Sequence, residues 1–406
     1  MTHRWKRWAA PGAAITAVAL LAACSSSSSS SSSAPSSSSP SASSSASSSA
    51  SSSAGSSASS SGTSGLATAQ AMVTQLEATT TNYPVPTASV SGVSALKGKT
   101  VYYIPLVQQI PGFVVTAATM KTALAKVGLN LQVCNGEAQP SAIAACVTQA
   151  TGAHAAGIVL DSIPYGMAEN ALMAAKAKGV PVIVADQYPP SGNVNTASVT
   201  YVPGVVNQPS QIAYWMIAES QGKANAIIAE EADSQSSIQY VVNSEAIYKQ
   251  LCPDCTVTVK QITEATNTLI ASATSSNLLA HPEANYYYTE FEDSLQPTIQ
   301  GIQQSNKTDI SLSVAGASTD SLGLLKSGSL VQAAVAVDQA YAGWALTDEI
   351  LRMATKTAPA AESFPSRLFT KQNIGTIQVT TAAQASGAWF GSTSYQGQFE
   401  KLWGLG

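Results

Sequence analysis

The chain has 406 residues, 45% of them apolar and only 10% charged, with a formal charge of −4. An acidic balance argues against nucleic acid as a partner, and about 340 residues beyond a serine-rich N-terminal stretch are enough for two compact lobes. In chain order, Arg4, Lys6 and Arg7 precede an apolar stretch from Ala9 to Ala23, the pattern of a secretion signal. Pro11 and Gly12 interrupt it, and it is too short to span a bilayer. Without this segment 16 basic residues face 23 acidic ones, a charge of −7.

Leu21-Ala22-Ala23-Cys24 resembles the bacterial lipobox. The resemblance implies that residues 1–23 are a signal peptide and that Cys24 is diacylated after cleavage. Two acyl chains anchor stably where one does not. An ordinary cleavage site beside an incidental cysteine is the alternative. From Ser25 to Ser61 the chain is nearly all serine and has no apolar surface to bury, so residues 24–66 are expected to be a disordered tether. As a coil its serine run spans roughly 35 Å. The expected location is the outer face of the bacterial cell membrane, exported and lipid-anchored. Residues 67–98 read as a helix followed by an extended lead-in.

From Thr100 short apolar runs alternate with helical patterns. Thr100–Leu106 reads as a strand, and Phe113, Ala117, Met120, Leu124 and Val127 then recur at spacings of four and three, one helix face closed by Gly128. Leu129–Val133, Gly157–Leu160 and Val180–Ala185 read as further strands. Helices open at Pro140-Ser141 and run over Gly166–Lys178. The strands are apolar without alternation, as in a parallel sheet covered on both faces. The pattern then restarts, with strands Asn225–Ala229, Thr256–Lys260, Asn285–Thr289 and Ile310–Val314. Helices lie between them over Ile238–Leu251, Thr268–Leu279 and Leu295–Gln304. The predicted fold class is α/β, two doubly wound parallel-sheet lobes facing a cleft at the carboxyl ends of the strands. Tyr286-Tyr287-Tyr288 reads as strand packing, and Trp389, Phe399, Leu402 and Trp403 as a tail wrapped onto a lobe.

Beyond Cys24 there are four cysteines, an even number in an exported chain, which suggests two disulfides. The preferred pairing is the short-range one, Cys134 with Cys146 and Cys252 with Cys255. A redox role for Cys252-Pro253-Asp254-Cys255 would need the motif to open a helix, yet a strand pattern follows Cys255. The four cysteines also lack zinc spacing.

The order of these elements resembles the ribose-binding-protein-like, type 1 periplasmic solute-binding proteins, from Gly98 to about Thr370. The residues that carry the likeness are Pro111-Gly112-Phe113, Gly157-Ile158-Val159-Leu160-Asp161, Gly179-Val180-Pro181-Val182-Ile183-Val184-Ala185-Asp186 and Leu278-Leu279-Ala280-His281-Pro282. The resemblance implies three crossings between lobes, near Val202–Pro203, Val337–Asp338 and Phe369–Thr370. The lobes would then be 99–202 with 338–369, and 203–337 with 370–406. It implies a substrate-binding lipoprotein of an ABC transporter: a monomer that closes on one small sugar-like ligand and is recognised by membrane permease subunits. A sensory role, in which the closed form is presented to a membrane receptor or kinase, fits the same residues.

The ligand positions implied by the resemblance are Gln108, Gln109, Phe113, Asp161, Asp186, Gln187, Tyr240, Phe291, Asp293 and Asp338. Phe113 either stacks on a sugar face or caps its helix core. Asp161 either lines the cleft or caps a turn, and Asp338 is either a ligand acceptor or a hinge residue. Gln187 stands where ribose-type proteins carry arginine, Tyr240 matches an arginine-bearing helix start, Phe291 an asparagine, and Gly316 an aspartate; Glu290, Glu292, Asp293, Ser318 and Asp320 are nearby substitutes. No cofactor or metal is expected. His154 and His281, the histidines beyond the signal, fall in helix-to-strand connections away from the strand ends. With no Gly-x-Ser-x-Gly elbow or Walker loop, the sequence argues against an enzyme.

Overall fold

A computed structural model describes residues 57–190, 195–205, 207–360 and 362–405. The signal and Cys24 lie outside them. The first sheet is β1 (Thr100–Pro105), β2 (Asn130–Val133), β3 (Gly157–Asp161), β4 (Val182–Ala185) and β5 (Val199–Val202), all parallel in the order β2-β1-β3-β4-β5. The second sheet is β6 (Asn225–Glu231), β7 (Thr256–Ile262), β8 (Tyr286–Thr289), β9 (Ser311–Ala315), β10 (Val331–Val337) and β11 (Ser366–Thr370), in the order β11-β10-β9-β8-β6-β7. Only β11 is antiparallel to its neighbour. The expected two doubly wound lobes are present, and the chain reverses its strand order at β1/β3 and at β6/β8.

The helices are α1 (Ser57–Glu77), α2 (Pro111–Lys126), α3 (Pro140–Gly152), α4 (Glu169–Ala177), α5 (Gln208–Glu219), α6 (Gln235–Leu251), α7 (Ile270–Ala280), α8 (Leu295–Ser305), α9 (Thr319–Lys326), α10 (Gln339–Thr355), α11 (Thr381–Ser386) and α12 (Tyr395–Leu402). Gly128 and Gly179 follow α2 and α4 with φ of 77° and 75°, the left-handed backbone that ends a helix cheaply only at glycine. β8 is buried throughout, so its three tyrosines pack inside the sheet layers. Among the described residues no helix is long and apolar enough to cross a membrane. Both expected disulfides form. Cys134–Cys146 ties the end of β2 to α3, and Cys252–Cys255 closes the turn between α6 and β7.

Several boundaries differ from the sequence reading. α1 begins at Ser57, inside the stretch expected to be a tether. Leu66, Ala69, Val73 and Leu76 pack on the second lobe's core, and a helix held at one end propagates cheaply beyond it. β11 pairs with β10, so the third crossing lies between Thr355 and Ser366 rather than at Phe369–Thr370. The tail divides. Trp389 and Phe390 join the second lobe's core, whereas Tyr395, Phe399, Leu402 and Trp403 join the first lobe's.

The terminal segments therefore add two crossings to the three expected. α1 ends on the second lobe, where the Glu77 carbonyl accepts from Arg367 Nε at 2.9 Å. Thr80 N–H then donates to the Phe390 carbonyl at 2.8 Å, and Tyr83 enters the first lobe's core. The lead-in and the tail run side by side as a paired strap beside the hinge. Its first-lobe end is an aromatic cluster in which Tyr83 meets Tyr341 and Tyr395 at ring separations of 5.1 and 4.6 Å. Trp344 stacks on Trp403 at 5.5 Å nearby. Such contacts add about 0.5–1.5 kcal/mol each beyond the area they bury.

Candidate functional site

Between the lobes lies a cavity of about 440 Å³, lined from both sheets' carboxyl ends, where open α/β sheets bind ligands. Four of the eight described non-glycine residues with positive φ line it: Glu137, Ala138, Ser162 and Asp186. Left-handed backbone costs such residues about 1–2 kcal/mol, and strain of this kind gathers at functional sites.

Asp186 follows β4 and is buried among Asp161, Gly204 and Val205. Its Oδ1 accepts from Val205 N–H at 3.2 Å. Gly204 is required there, because a Cβ would lie 2.5 Å from Asp186 Oδ1 and closer still to Phe364. Burial, and then the charge of Asp161, push the Asp186 carboxyl well above the usual carboxylate range; burial raises Asp161 as well. Two buried carboxyls this close hold a proton between them. Asp161 does not line the cavity. Its Oδ2 accepts from Tyr103 O–H at 2.6 Å, so it lies beneath Asp186 as a support.

The other expected ligand positions divide clearly. Phe113, Gln187, Tyr240, Phe291, Asp293 and Asp338 line the cavity; Gln108 and Gln109 are exposed and do not. Gln108 N–H donates to Asn135 Oδ1 at 2.8 Å, and this loop turns Leu106, Val107 and Ile110 to the cavity instead. Asp338 is fully buried, and its acceptor capacity is largely used. Oδ1 takes the N–H groups of Ala340 and Tyr341 as the cap of α10, and Oδ2 takes Tyr83 O–H at 2.9 Å. Burial still pushes its carboxyl up to about 6. Asp338 is thus a hinge cap whose carboxylate is committed to the strap and α10.

Tyr240 also has a structural engagement. Its O–H donates to the Asp186 carbonyl across the cleft at 2.5 Å, while Tyr188 N–H donates to Ser236 Oγ at 2.9 Å and Asn243 Nδ2 to Tyr188 Oη at 3.2 Å. These three bonds join the loop after β4 to α6, first lobe to second. At Gly316, φ is 113° and a Cβ would lie 2.8 Å from Glu292 Cβ. Glu292 therefore fills the place where the resemblance has an aspartate. Its carboxylate accepts from Ser321 O–H, which in turn caps α9 with Ser318, and burial raises it.

The sequence reading missed Glu231, Asp233, Gln384, Trp389 and Phe390 as cavity residues. Glu231 ends β6, and the rule that strand ends carry ligand groups would have found it. Gln384 and Trp389 arrive from a tail with no local signal. Among the described residues no group of three or more His, Cys, Asp or Glu is placed to hold a metal ion.

No protein-family model matches the chain, and no curated protein matches its sequence. Solved structures do. A 5-methylthioribose transporter solute-binding protein from Thermotoga lettingae, in complex with 5-methylthioribose, aligns at a TM-score of 0.64 and 14% identity, over 76% of this chain and 98% of that one. A sugar ABC transporter protein from Yersinia enterocolitica aligns at 0.62 and 17% identity, over 80% and 98%. The chain has the type 1 periplasmic binding protein fold. A Caulobacter myo-inositol binding protein bound to myo-inositol shares it, at a TM-score of 0.59 and 17% identity over 69% of this chain and 96% of that one. The resemblance read from the sequence holds at the level of fold. Identities this low leave the cavity's own residues as the guide to its ligand.

Proposed function

We propose that this chain is an extracytoplasmic solute-binding protein, not an enzyme. It captures a small, sugar-like molecule between its lobes and delivers it to the permease subunits of an ABC importer. The anchor would be the lipidated Cys24. The observation that carries the reading is the 440 Å³ cavity, closed over by both lobes at the carboxyl ends of two parallel sheets and lined by carboxyl, amide and aromatic side chains. Carboxylates and amides accept and donate to hydroxyls, and aromatic faces cover the apolar face of a ring. Sugar-binding transport proteins among the structural neighbours support the same class. A ligand that touches both lobes favours closure because it gains contacts only there.

Thermal unfolding of the full chain against a panel of sugars and polyols tests this. At a hundredfold excess over its dissociation constant, a true ligand adds about 2.7 kcal/mol, a shift of a few degrees for a protein this size. No shift with any sugar or polyol would remove the ligand class.

A further inference from the structure

The two sides of the cavity are lined differently. On the second sheet, α6 covers one face and Trp389 and Phe390 of the tail cover the other, so the cavity runs across the sheet's edge from α6 to the tail. On the α6 side it meets Gln187, Ser234, Ser237 and Tyr240, where the loop after β4 is hydrogen-bonded to α6. On the tail side α11 approaches α2, and Ile110, Phe113, Trp389 and Phe390 line the space. Trp389 and Phe390 lie beyond the Gly98–Thr370 stretch that carries the family resemblance, so the apolar character of this side comes from the chain's own tail.

Polar groups on the tail side are engaged with the protein itself. Asp338 accepts from Tyr83 O–H and the first N–H groups of α10, and Trp389 Nε1 donates to the Gln378 carbonyl. Gln339 Oε1 accepts from Thr116 O–H at 2.7 Å, and Gln384 Oε1 from Thr319 N–H at 3.3 Å. On the α6 side an amide is left over. Gln187 is 7% exposed, lines the cavity and makes no side-chain hydrogen bond with any described residue. A buried amide without a partner is costly, and a ligand hydroxyl beside it can both accept and donate. A hydroxyl set against Phe113 and Phe390 would instead be buried without a partner, whereas an apolar group there covers apolar surface and a flat ring stacks. Size agrees. At roughly 30 Å³ for each water-sized group, the 440 Å³ cavity takes about 15 of them, a few more than a hexose supplies.

We propose that the ligand is a two-ended glycoside, its sugar hydroxyls at Gln187 and an apolar, ring-bearing substituent against Phe113, Trp389 and Phe390. This rests on reading the cleft as the solute site. The test is calorimetric titration of the full chain with the phenyl β-D-glycosides of glucose, galactose and xylose and with adenosine, each beside its free sugar and methyl glycoside. One ring-bearing glycoside is expected to bind about tenfold or more tighter than both simpler forms, the size of gain an apolar pocket gives. Phe113→Leu should narrow that ratio at least threefold, and Gln187→Leu should weaken the ring-bearing and simpler forms alike. A free sugar or methyl glycoside bound as tightly as the ring-bearing form would overturn the apolar-side inference and leave the sugar reading standing. An unchanged ratio in folded Phe113→Leu would overturn the placement of the ring. Binding of phenol or adenine, with no glycoside or free sugar bound, would overturn the sugar reading and the proposal with it, as would absence of binding by every probe.

Discussion

Two regions of this molecule are rich in acids, and they use them differently. On the hinge side, Asp338 and Asp348 are buried and met by donors. Asp348 takes Arg352 Nε through one oxygen and Trp403 Nε1 through the other, at 2.5 and 2.7 Å, and Arg352 also reaches the Ala88 carbonyl in the lead-in at 2.7 Å. On the cleft side, Asp186, Glu231, Asp233 and Asp293 face a cavity that no basic side chain lines. Buried carboxylates met by donors hold segments together, whereas carboxyls at the strand ends of a cleft stand where a ligand would meet them. Residue type alone does not separate the two roles; the direction of the donors does.

The largest effect should come from breaking the hinge side. Arg352→Met leaves Asp348, Glu349 and Glu362 buried together without their cation, which should cost about 3–5 kcal/mol in urea unfolding. Asp293→Asn in the exposed part of the cleft should change the stability of the ligand-free chain by less than about 0.5 kcal/mol. Equal effects would erase the distinction between the regions.

That distinction was partly legible in the sequence. Apolar runs located β1 to β4 and β6 to β9, and the family resemblance pointed to Asp186. α10 was invisible as an amphipathic helix because it is buried on every side, with Asp348, Glu349 and Arg352 inside and no polar face to set a period. β5 is four residues long, and β10 and α5 went unread beside the crossings. α1 is rich in serine and glycine, poor formers of helix, and it is held by docking on α5, α6 and β11 rather than by propensity. In the site, Gln108 and Gln109 failed as candidates because loop geometry, which no residue pattern fixes, turned them outward. The paired strap depends on residues 80 and 390 meeting, a contact over a separation that local pattern does not reach.

A second test concerns pH. Burial first, and then the charges of Asp348 and Glu349, push Glu362 up to about 10. The folded protein keeps this proton to a higher pH than the unfolded chain, so the group's contribution to stability declines as pH rises from the ordinary carboxylate value through 10. Glu362→Gln should raise the unfolding midpoint at pH 8, by on the order of 2 kcal/mol, and flatten the alkaline decline. A midpoint lowered at pH 8 would mean that the ionised carboxylate stabilises the hinge.

The smallest expected effect sharpens the cleft side. Tyr240→Phe removes one hydrogen bond between lobes, worth about 1 kcal/mol, or roughly fivefold in the balance between closed and open forms. The radius of gyration of the ligand-free chain in solution scattering should rise. An unchanged profile would show that Tyr240 does not help to hold the lobes together.

The measurement that bears most directly on the account is calorimetric titration of wild type and Asp186→Asn, side by side, with whichever sugar or polyol raises the unfolding midpoint most. One site per chain, with affinity at least tenfold weaker in the variant, is the predicted result. Unchanged affinity in a folded Asp186→Asn protein would place the ligand elsewhere and contradict the assignment of the cleft.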